Sequence, residues 1–172
     1  MLEETRDPKP SSLSSGLALG AFGSAVAGAA ALGAKAATRP KVWYRFLRKA
    51  PANPPDWAFG PVWTTLYGLM AVSAWRIWRR APSRRRSLAL GLWAGQLGLN
   101  AAWSPLFFGR RQARTALVDL AAMAGLAVAY AKTSASVDRP AAWLFAPTLA
   151  WMGFAGYLNA EVVRRNPLLG RA

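Results

Sequence analysis

The sequence predicts an all-α membrane protein, a bundle of five transmembrane helices, from its composition and from the grouping of its apolar residues. Of the 172 residues, 53% are hydrophobic and only 17% are charged, whereas an ordinary soluble domain carries about 25% charge. A helix needs about 20 apolar residues to cross a bilayer core of about 30 Å. Five runs approach or exceed that length: residues 13–34, 57–78, 88–108, 115–131 and 141–163.

The five runs contain few charged residues. The first and third runs are uncharged, and the second contains only Arg76, near its end. The fourth run is the shortest and contains Asp119, and the fifth contains Glu161 near its end. The alternative is a soluble bundle with a very apolar core, but its helices would need polar faces that these runs mostly lack. We therefore favour five membrane spans.

The two ends of the chain lie outside the spans. Residues 1–12 are polar and contain two prolines, a composition that predicts a disordered extension. We expect the transmembrane domain over residues 13–166 and a short tail over residues 167–172. A cleaved signal peptide is the alternative for the first run, but a signal peptide needs a positive start and three acidic residues precede this run.

The absence of Cys and His excludes several kinds of functional site, and the excess of basic residues indicates the surroundings of the chain. The chain has 22 Lys+Arg against 7 Asp+Glu, a formal net charge of +15, and neither Cys nor His. It cannot form disulfides, thiolate or imidazole metal sites, or a Ser-His-Asp triad, and we expect no metal and no obligatory cofactor. The basic residues lie between apolar runs, which indicates a lipid bilayer and not nucleic acid. Their division between the two sides, 10 and 12 Lys+Arg, leaves the orientation open.

Two connections between the spans are distinctive. Residues 35–56 hold six basic residues and then three prolines, so they cannot form one continuous helix. Residues 79–86 hold five arginines in a tight turn. Such a turn is typical of a basic cluster that flanks a membrane.

Aromatic and polar residues inside the spans indicate a ligand pocket. Trp63 and Tyr67 are four residues apart and therefore share a helix face, which Phe59 extends. Asn100 is costly in hydrocarbon and should face the bundle interior, and Trp103 lies three residues further on. One face of the fifth run contains Trp151, Ala155 and Leu158.

The alternative for the tryptophans is an aromatic belt at the membrane interface, where the indole N–H finds a partner. We favour the belt for the tryptophans near span ends, which are Trp43, Trp57, Trp75 and Trp78. We favour the pocket for those inside spans beside polar or small residues, which are Trp63, Trp103 and Trp151.

Three further polar residues in the spans have structural interpretations. Asn159, near a span end, is expected to form a hydrogen bond between helices. Asp119 is the one acid well inside a span, where a proton relay is the functional alternative. Its place near the start of a helix favours a stabilising contact with the helix N-terminus. Glu161 is expected to reach the interface beside two arginines.

Motifs in four of the spans and in the first connection resemble the TspO/MBR family of tryptophan-rich sensory and translocator proteins. The similarity covers roughly residues 42–166, in order. It rests on Trp43-Tyr44, Pro54-Pro55, Phe59-Gly60-Pro61-Val62-Trp63, Leu66-Tyr67, Gln96-Leu97, Leu99-Asn100, Trp103, Phe107-Phe108-Gly109, Ala116-Leu117, Asp119-Leu120, Pro147, Leu149-Ala150-Trp151, Phe154-Ala155, Leu158-Asn159 and Asn166.

The resemblance implies a five-helix bundle, usually dimeric, with a ligand cavity that the first loop covers. The family's ligands are porphyrins and other tetrapyrroles, sterols, and synthetic benzodiazepine- or isoquinoline-type compounds. We expect a sensor, regulator or transporter of porphyrin-like molecules in a bacterial cell envelope, in preference to a mitochondrial outer membrane. The ligand-binding residues are expected to be Phe59, Val62, Trp63, Tyr67, Asn100, Trp103, Trp151, Ala155 and Leu158.

Two other functions remain open. One is an enzyme that breaks down bound porphyrin in light, with Trp63 and Trp151 as the reacting side chains. The other is a sterol-binding or scaffolding membrane protein. Specific cholesterol binding is disfavoured because Ala160 stands where the family's sterol motif has a tyrosine. Ala52 replaces an expected tryptophan of the first loop, and Thr148 replaces an aromatic residue after the fifth-span proline.

The residues also suggest how a porphyrin would be held. Its flat ring would stack on Trp and Tyr, and its propionates would meet Arg45, Arg48 or Lys49 of the first loop. Because the chain lacks His, a metal-free porphyrin is a better ligand than haem.

Small residues on the third span predict a homodimer. Gly91 and Gly95 are four residues apart, with Gly98 near the same face, a spacing that lets membrane helices approach closely. Gly16 and Gly20 offer a similar surface on the first span. Either pair could instead pack against a neighbouring helix of the same bundle.

Overall fold

The computed structural model describes residues 11–38 and 41–167, without the side chains of residues 41 and 42. The predicted extension and tail therefore lie almost entirely outside the described residues, and Ser12 is already helical. The helices are α1 (Ser12–Thr38), α2 (Lys41–Phe46), α3 (Asp56–Trp78), α4 (Arg84–Ser104), α5 (Ala113–Val137) and α6 (Arg139–Arg165), and a π-helical turn, Pro105–Gly109, continues α4.

The five long helices confirm the predicted fold class. Each predicted span lies within one of them, the third extending from α4 into the π-helical turn. In the described part of the chain, α1, α5 and α6 are long and apolar enough to cross a membrane by length and composition alone. Helices α3 and α4 are the two long helices outside this set: α3 contains Pro61 and Arg76, and α4 begins with three arginines and contains Gln96 and Asn100.

The long helices form a closed ring. Helix α1 packs against α3 and α4, α4 against α5, α5 against α6, and α6 against α3. The centre of the ring is filled by side chains that are almost completely buried, among them Met70, Ile77, Met123, Tyr130, Phe145 and Met152. The ring thus has two ends, one formed by the α3–α4 and α5–α6 turns and the other by the first loop.

A polar network joins α3, α5 and α6 near the first of these ends. The Ser73 hydroxyl donates to the Ala141 carbonyl oxygen at 2.7 Å, so the Tyr130 hydroxyl, 2.6 Å from Ser73 Oγ, is the donor of that second bond. The Asp138 side chain is 1% exposed, and its carboxylate forms ion pairs with the guanidinium groups of Arg80 at 2.8 Å and Arg76 at 3.3 Å. Burial alone would raise the pKa of the Asp138 carboxyl, but the two arginines outweigh it and leave this pKa lowered.

Candidate functional site

Four aromatic side chains from α3 and α6 form one group, the aromatic cluster: Phe59, Trp63, Tyr67 and Trp151. The Trp63 and Trp151 rings meet edge to face, with centroids 6.4 Å apart. Phe59 approaches Trp151 at 6.0 Å, and Tyr67 approaches Trp63 at 5.4 Å. Phe59, Trp63 and Tyr67 follow one another at intervals of one turn on α3, so the helix period brings their rings to one side, as the sequence predicted.

Hydrogen-bond donors without partners lie beside the aromatic cluster. Tyr67 donates its hydroxyl to Asn100 Oδ1 at 2.6 Å. The other amide atom, Asn100 Nδ2, and the indole nitrogen of Trp151 are buried and have no partner among the described residues. The same holds for the side-chain polar atoms of Gln96 and Thr148, which are 0% exposed. A buried unpaired group costs about 1–3 kcal/mol.

The first loop closes the opposite end of the ring as a lid, residues 43–55. Leu47 is buried and packs with Phe107 and Val162 in a small hydrophobic core. Asn166, just after α6, forms a reciprocal pair of bonds with the lid: Arg48 N–H donates to Asn166 Oδ1, and Asn166 Nδ2 donates to the Arg48 carbonyl oxygen, both at 3.0 Å. The lid is thus fastened to the end of α6.

Contacts inside the lid give it a fixed shape. The Tyr44 hydroxyl donates to Asn53 Oδ1 at 3.3 Å, and the Lys49 ammonium lies 3.9 Å from the centre of the Tyr44 ring. Burial raises the pKa of the Tyr44 phenol above its usual value, so the hydroxyl stays a neutral donor. Ala52 is exposed, so the replacement of the expected tryptophan leaves that part of the lid without a ring.

A second aromatic group lies under the lid. Trp103 stacks on Phe107, four residues later, with centroids 5.0 Å apart and planes 14° apart. Trp43 and Tyr44 of the lid meet Phe107 edge to face at 5.7 and 6.3 Å. Trp43 is therefore part of the packing between lid and bundle, and its assignment to an aromatic belt stays a prediction. Trp57 is 75% exposed, as a belt residue would be.

The remaining predicted site residues occupy different depths. Val62 is half-buried beside Trp63 in the chain, and Ala155, one turn after Trp151, is half-buried and packs against the main core. Leu158 is buried. Trp103 also touches the main core, although its ring contacts are with Phe107 and Phe108.

Sequence reasoning missed four residues of this region. Phe154 lies 5.5 Å from Trp151, a contact that their i,i+3 spacing would have indicated. Gln96 was noted only as a motif residue, although an amide in an apolar run indicates an interior position. Asn53 and Asn166 act through partners that are nine and 118 residues away in the chain. No pattern in the sequence indicates those pairings.

The polar residues of α5 and α6 test the structural interpretations. Asn159, with its amide turned to satisfy both neighbours, donates to the Ala113 carbonyl oxygen and accepts from Leu117 N–H, both at 3.1 Å, which confirms a bond between helices. Glu161 pairs with Arg164 and Arg165 at 2.8 and 2.6 Å, as predicted.

Asp119 does not have the position expected of it. Helix α5 begins at Ala113, two residues before the predicted span, so Asp119 lies beyond the first turn, outside the reach of the unpaired N–H groups. One carboxylate oxygen is buried without a partner in the described part of the chain. The contact with the helix N-terminus was therefore the wrong interpretation.

The glycines of α4 differ in their surroundings. A Cβ added to Gly95 would lie 3.2 Å from Leu126 Cδ1 of α5, so this glycine permits close packing within one protomer. Gly91 and Gly98 have open space around them and lie on an exposed face of α4. The dimer prediction thus depends on this exposed face.

Comparisons with known proteins point in one direction. The sequence model of the TspO/MBR family matches residues 19–165 of this chain. The chain is 47% identical to the translocator protein of Bos taurus over 126 residues, which are 72% of this chain and 75% of the bovine protein. It is 38% identical to the tryptophan-rich sensory protein of Cereibacter sphaeroides over 141 residues, 80% and 87% of the two chains. It is also 36% identical to protein CrtK of Rhodobacter capsulatus over 129 residues, 74% and 81% of the two chains.

Proposed function

Because the chain belongs to the TspO/MBR family of membrane proteins, we propose that it binds porphyrin-type tetrapyrroles and acts as a sensor or transporter of them. The observation that carries this proposal is the aromatic cluster. Its rings meet at 5.4–6.4 Å, and two buried donors without partners, Asn100 Nδ2 and Trp151 Nε1, lie beside it. Flat aromatic ligands that carry hydrogen-bond acceptors match both properties.

The two ends of such a ligand would meet different chemistry. The macrocycle would stack on Trp63 and Trp151, which supply apolar area and ring-to-ring contact. The propionates would reach cations of the lid, where Arg45 and Arg48 are exposed and Lys49 is half-buried.

Porphyrin titration with matched tryptophan variants tests the proposal. Metal-free porphyrin added to the protein in detergent should quench tryptophan fluorescence. Trp151→Ala should weaken binding by about 5- to 150-fold, since it removes a stacking ring with about 1–3 kcal/mol of contact free energy. Trp143→Ala is the control, because Trp143 is on the same helix but 76% exposed. Equal effects of the two variants, or none, would refute the assignment of the site.

Light-dependent porphyrin breakdown is the second candidate function. The edge-to-face contact of Trp63 and Trp151 would place two readily oxidised rings beside one bound porphyrin. Illumination of the complex should then bleach the porphyrin in the unmodified protein, and Trp63→Phe or Trp151→Phe should abolish the bleaching without loss of binding. A complex that stays intact in light supports the sensor or transporter.

The proposed protein is a dimer in a bacterial membrane. We infer a homodimer that forms through the exposed glycine face of α4, in a bacterial cell envelope. Gly91→Leu should yield monomers by light scattering in mild detergent and retain porphyrin binding, since a Cβ at Gly91 would meet open space and no residue of the aromatic cluster. Gly95→Leu is expected to disturb the protomer as well, because of Leu126. A dimeric Gly91→Leu variant would move the interface elsewhere.

A further inference from the structure

The α3–α4 connection is a concentrated patch of positive charge at the end of the ring opposite the lid. We call residues 79–86 the basic turn. Of its five arginines, Arg80 is engaged by Asp138. The other four have no carboxylate partner among the described residues, and three of these are exposed: Arg79, Arg84 and Arg85.

The first turn of α4 makes this patch unusual. Arg84, Arg85 and Arg86 are its first three residues, and the turn contains no acid. The N-terminus of a helix already carries a partial positive charge, so cations in its first turn are unfavourable. Ser83 accepts from Arg86 N–H at 3.1 Å, but this bond caps the helix without neutralising any charge. No acid of the described residues offsets the charge of this first turn.

Two tryptophans at the end of α3 lie against arginines of the basic turn. The Arg79 guanidinium lies 4.7 Å from the Trp75 ring, and the Arg86 guanidinium lies 5.8 Å from the Trp78 ring. Trp75 also donates its N–H to the Ser15 carbonyl oxygen at 3.0 Å, which ties α3 to the start of α1. Half-buried tryptophans near the end of a span are typical of the membrane interface. At the interface, the arginines next to them would lie near the lipid phosphates.

We propose that the basic turn is a binding surface for anionic phospholipid, which it selects through the phosphate and the net negative charge of the headgroup. Guanidinium groups bind phosphate oxygens in a bidentate manner, and clusters of basic residues next to a span attract anionic lipid. A zwitterionic lipid offers the same phosphate with no net charge, so the turn should discriminate between the two. This surface is independent of the aromatic cluster and of the proposed porphyrin function.

The chain itself contains one competing occupant. Glu3, Glu4 and Asp7 precede α1, and α1 begins at the same end of the ring as the basic turn. An intramolecular contact with these acids would also offset the charge of the turn. Removal of residues 2–10 separates the two explanations.

Native mass spectrometry of the full chain in detergent tests the proposal. The protein is mixed with equal amounts of dioleoyl-phosphatidylglycerol and dioleoyl-phosphatidylcholine, and the bound lipids are counted. Arg84→Gln with Arg85→Gln should lower the affinity for phosphatidylglycerol by about 30-fold, from about fivefold for each arginine, and should leave phosphatidylcholine binding unchanged. Arg110→Gln with Arg114→Gln removes the same charge from the lid end and is the control. Arg84→Lys with Arg85→Lys keeps the charge and should retain most of the preference.

The outcomes are separable. Loss of the preference in the glutamine pair, with retention in the lysine pair and in the control, supports the basic turn as the lipid surface. Equal loss in the glutamine pair and the control would show a general charge effect and overturn the proposal. If the full chain shows no preference for phosphatidylglycerol and the chain without residues 2–10 does, the proposal is overturned too, because the acidic segment would then be the occupant.

Discussion

Replacement of Asn166 by alanine should release the lid while the bundle stays folded. Two hydrogen bonds of 3.0 Å join the Asn166 side chain to the backbone of Arg48. Each is worth about 0.5–1.5 kcal/mol net, so their loss should make the lid about 1–3 kcal/mol easier to open. That free energy corresponds to an increase of about 5- to 150-fold in the open population.

Site-resolved hydrogen exchange measures this release without any ligand. The Arg48 amide is protected by its bond to Asn166, so in Asn166→Ala it should exchange faster by about the same factor of 5 to 150. Amides in the middle of α3 should exchange as before. Asn166→Asp is an informative partner, because it keeps the acceptor for Arg48 N–H and loses only the donor, and it should show a smaller effect.

A second readout connects the lid with the proposed site. If a ligand leaves through the lid, its dissociation rate should rise in Asn166→Ala in parallel with Arg48 exchange. Asn166 also donates to the Val162 carbonyl oxygen at 2.8 Å, and exchange in the last turn of α6 shows the loss of that bond separately. Unchanged exchange at Arg48 would refute the assignment of Asn166 as the fastening of the lid.

Three further variants test other parts of the molecule. Asp138→Asn should destabilise the protein by about 1–3 kcal/mol, less than a fully buried pair because both arginines are partly exposed. The lowered pKa of Asp138 also predicts that its contribution is present above about pH 4 and is lost as the pH falls through the lowered value. Denaturant curves of both proteins between pH 2 and 7 check this, and parallel pH profiles would contradict it. Tyr130→Phe should cost about 0.5–1.5 kcal/mol in the same assay, since it removes one bond to Ser73; no loss would mean that the network adds nothing. Ala155→Thr should reduce porphyrin affinity more than the thermal midpoint, and equal losses would make Ala155 a packing residue only.

The sequence predicted those features that depend on regular periodicity. Uncharged runs of about 20 residues identify membrane helices, because the bilayer core sets their length. Spacings of four residues placed Phe59, Trp63 and Tyr67 on one helix face. The assignment of Trp151 on α6 to the same pocket rested on its position inside a span beside small residues and on the family resemblance, and neither predicted its ring contact with Trp63.

The features that escaped prediction arise from irregular backbone and from distant contacts. Helix α2 has only six residues, and its residues pack on Phe107, whose position depends on the π-helical turn after α4. Pro105 begins that turn, and Arg110 N–H donates to its carbonyl oxygen at 2.8 Å. The bond between Arg48 and Asn166 spans 118 residues. The place of Asp119 in α5 depended on a difference of two residues in the helix start, which composition alone does not determine.

The two ends of the ring are held together by different interactions. In the described part of the chain, the ion pairs that join different helices, those of Asp138, lie at the α5–α6 turn. The lid end is held by neutral hydrogen bonds and by ring edges. The Asp138 end therefore stays fixed, whereas the lid end can open. Changes at the Asp138 end should alter the unfolding free energy, whereas changes at the lid end should alter the opening of the lid and, with it, the exchange of the proposed ligand.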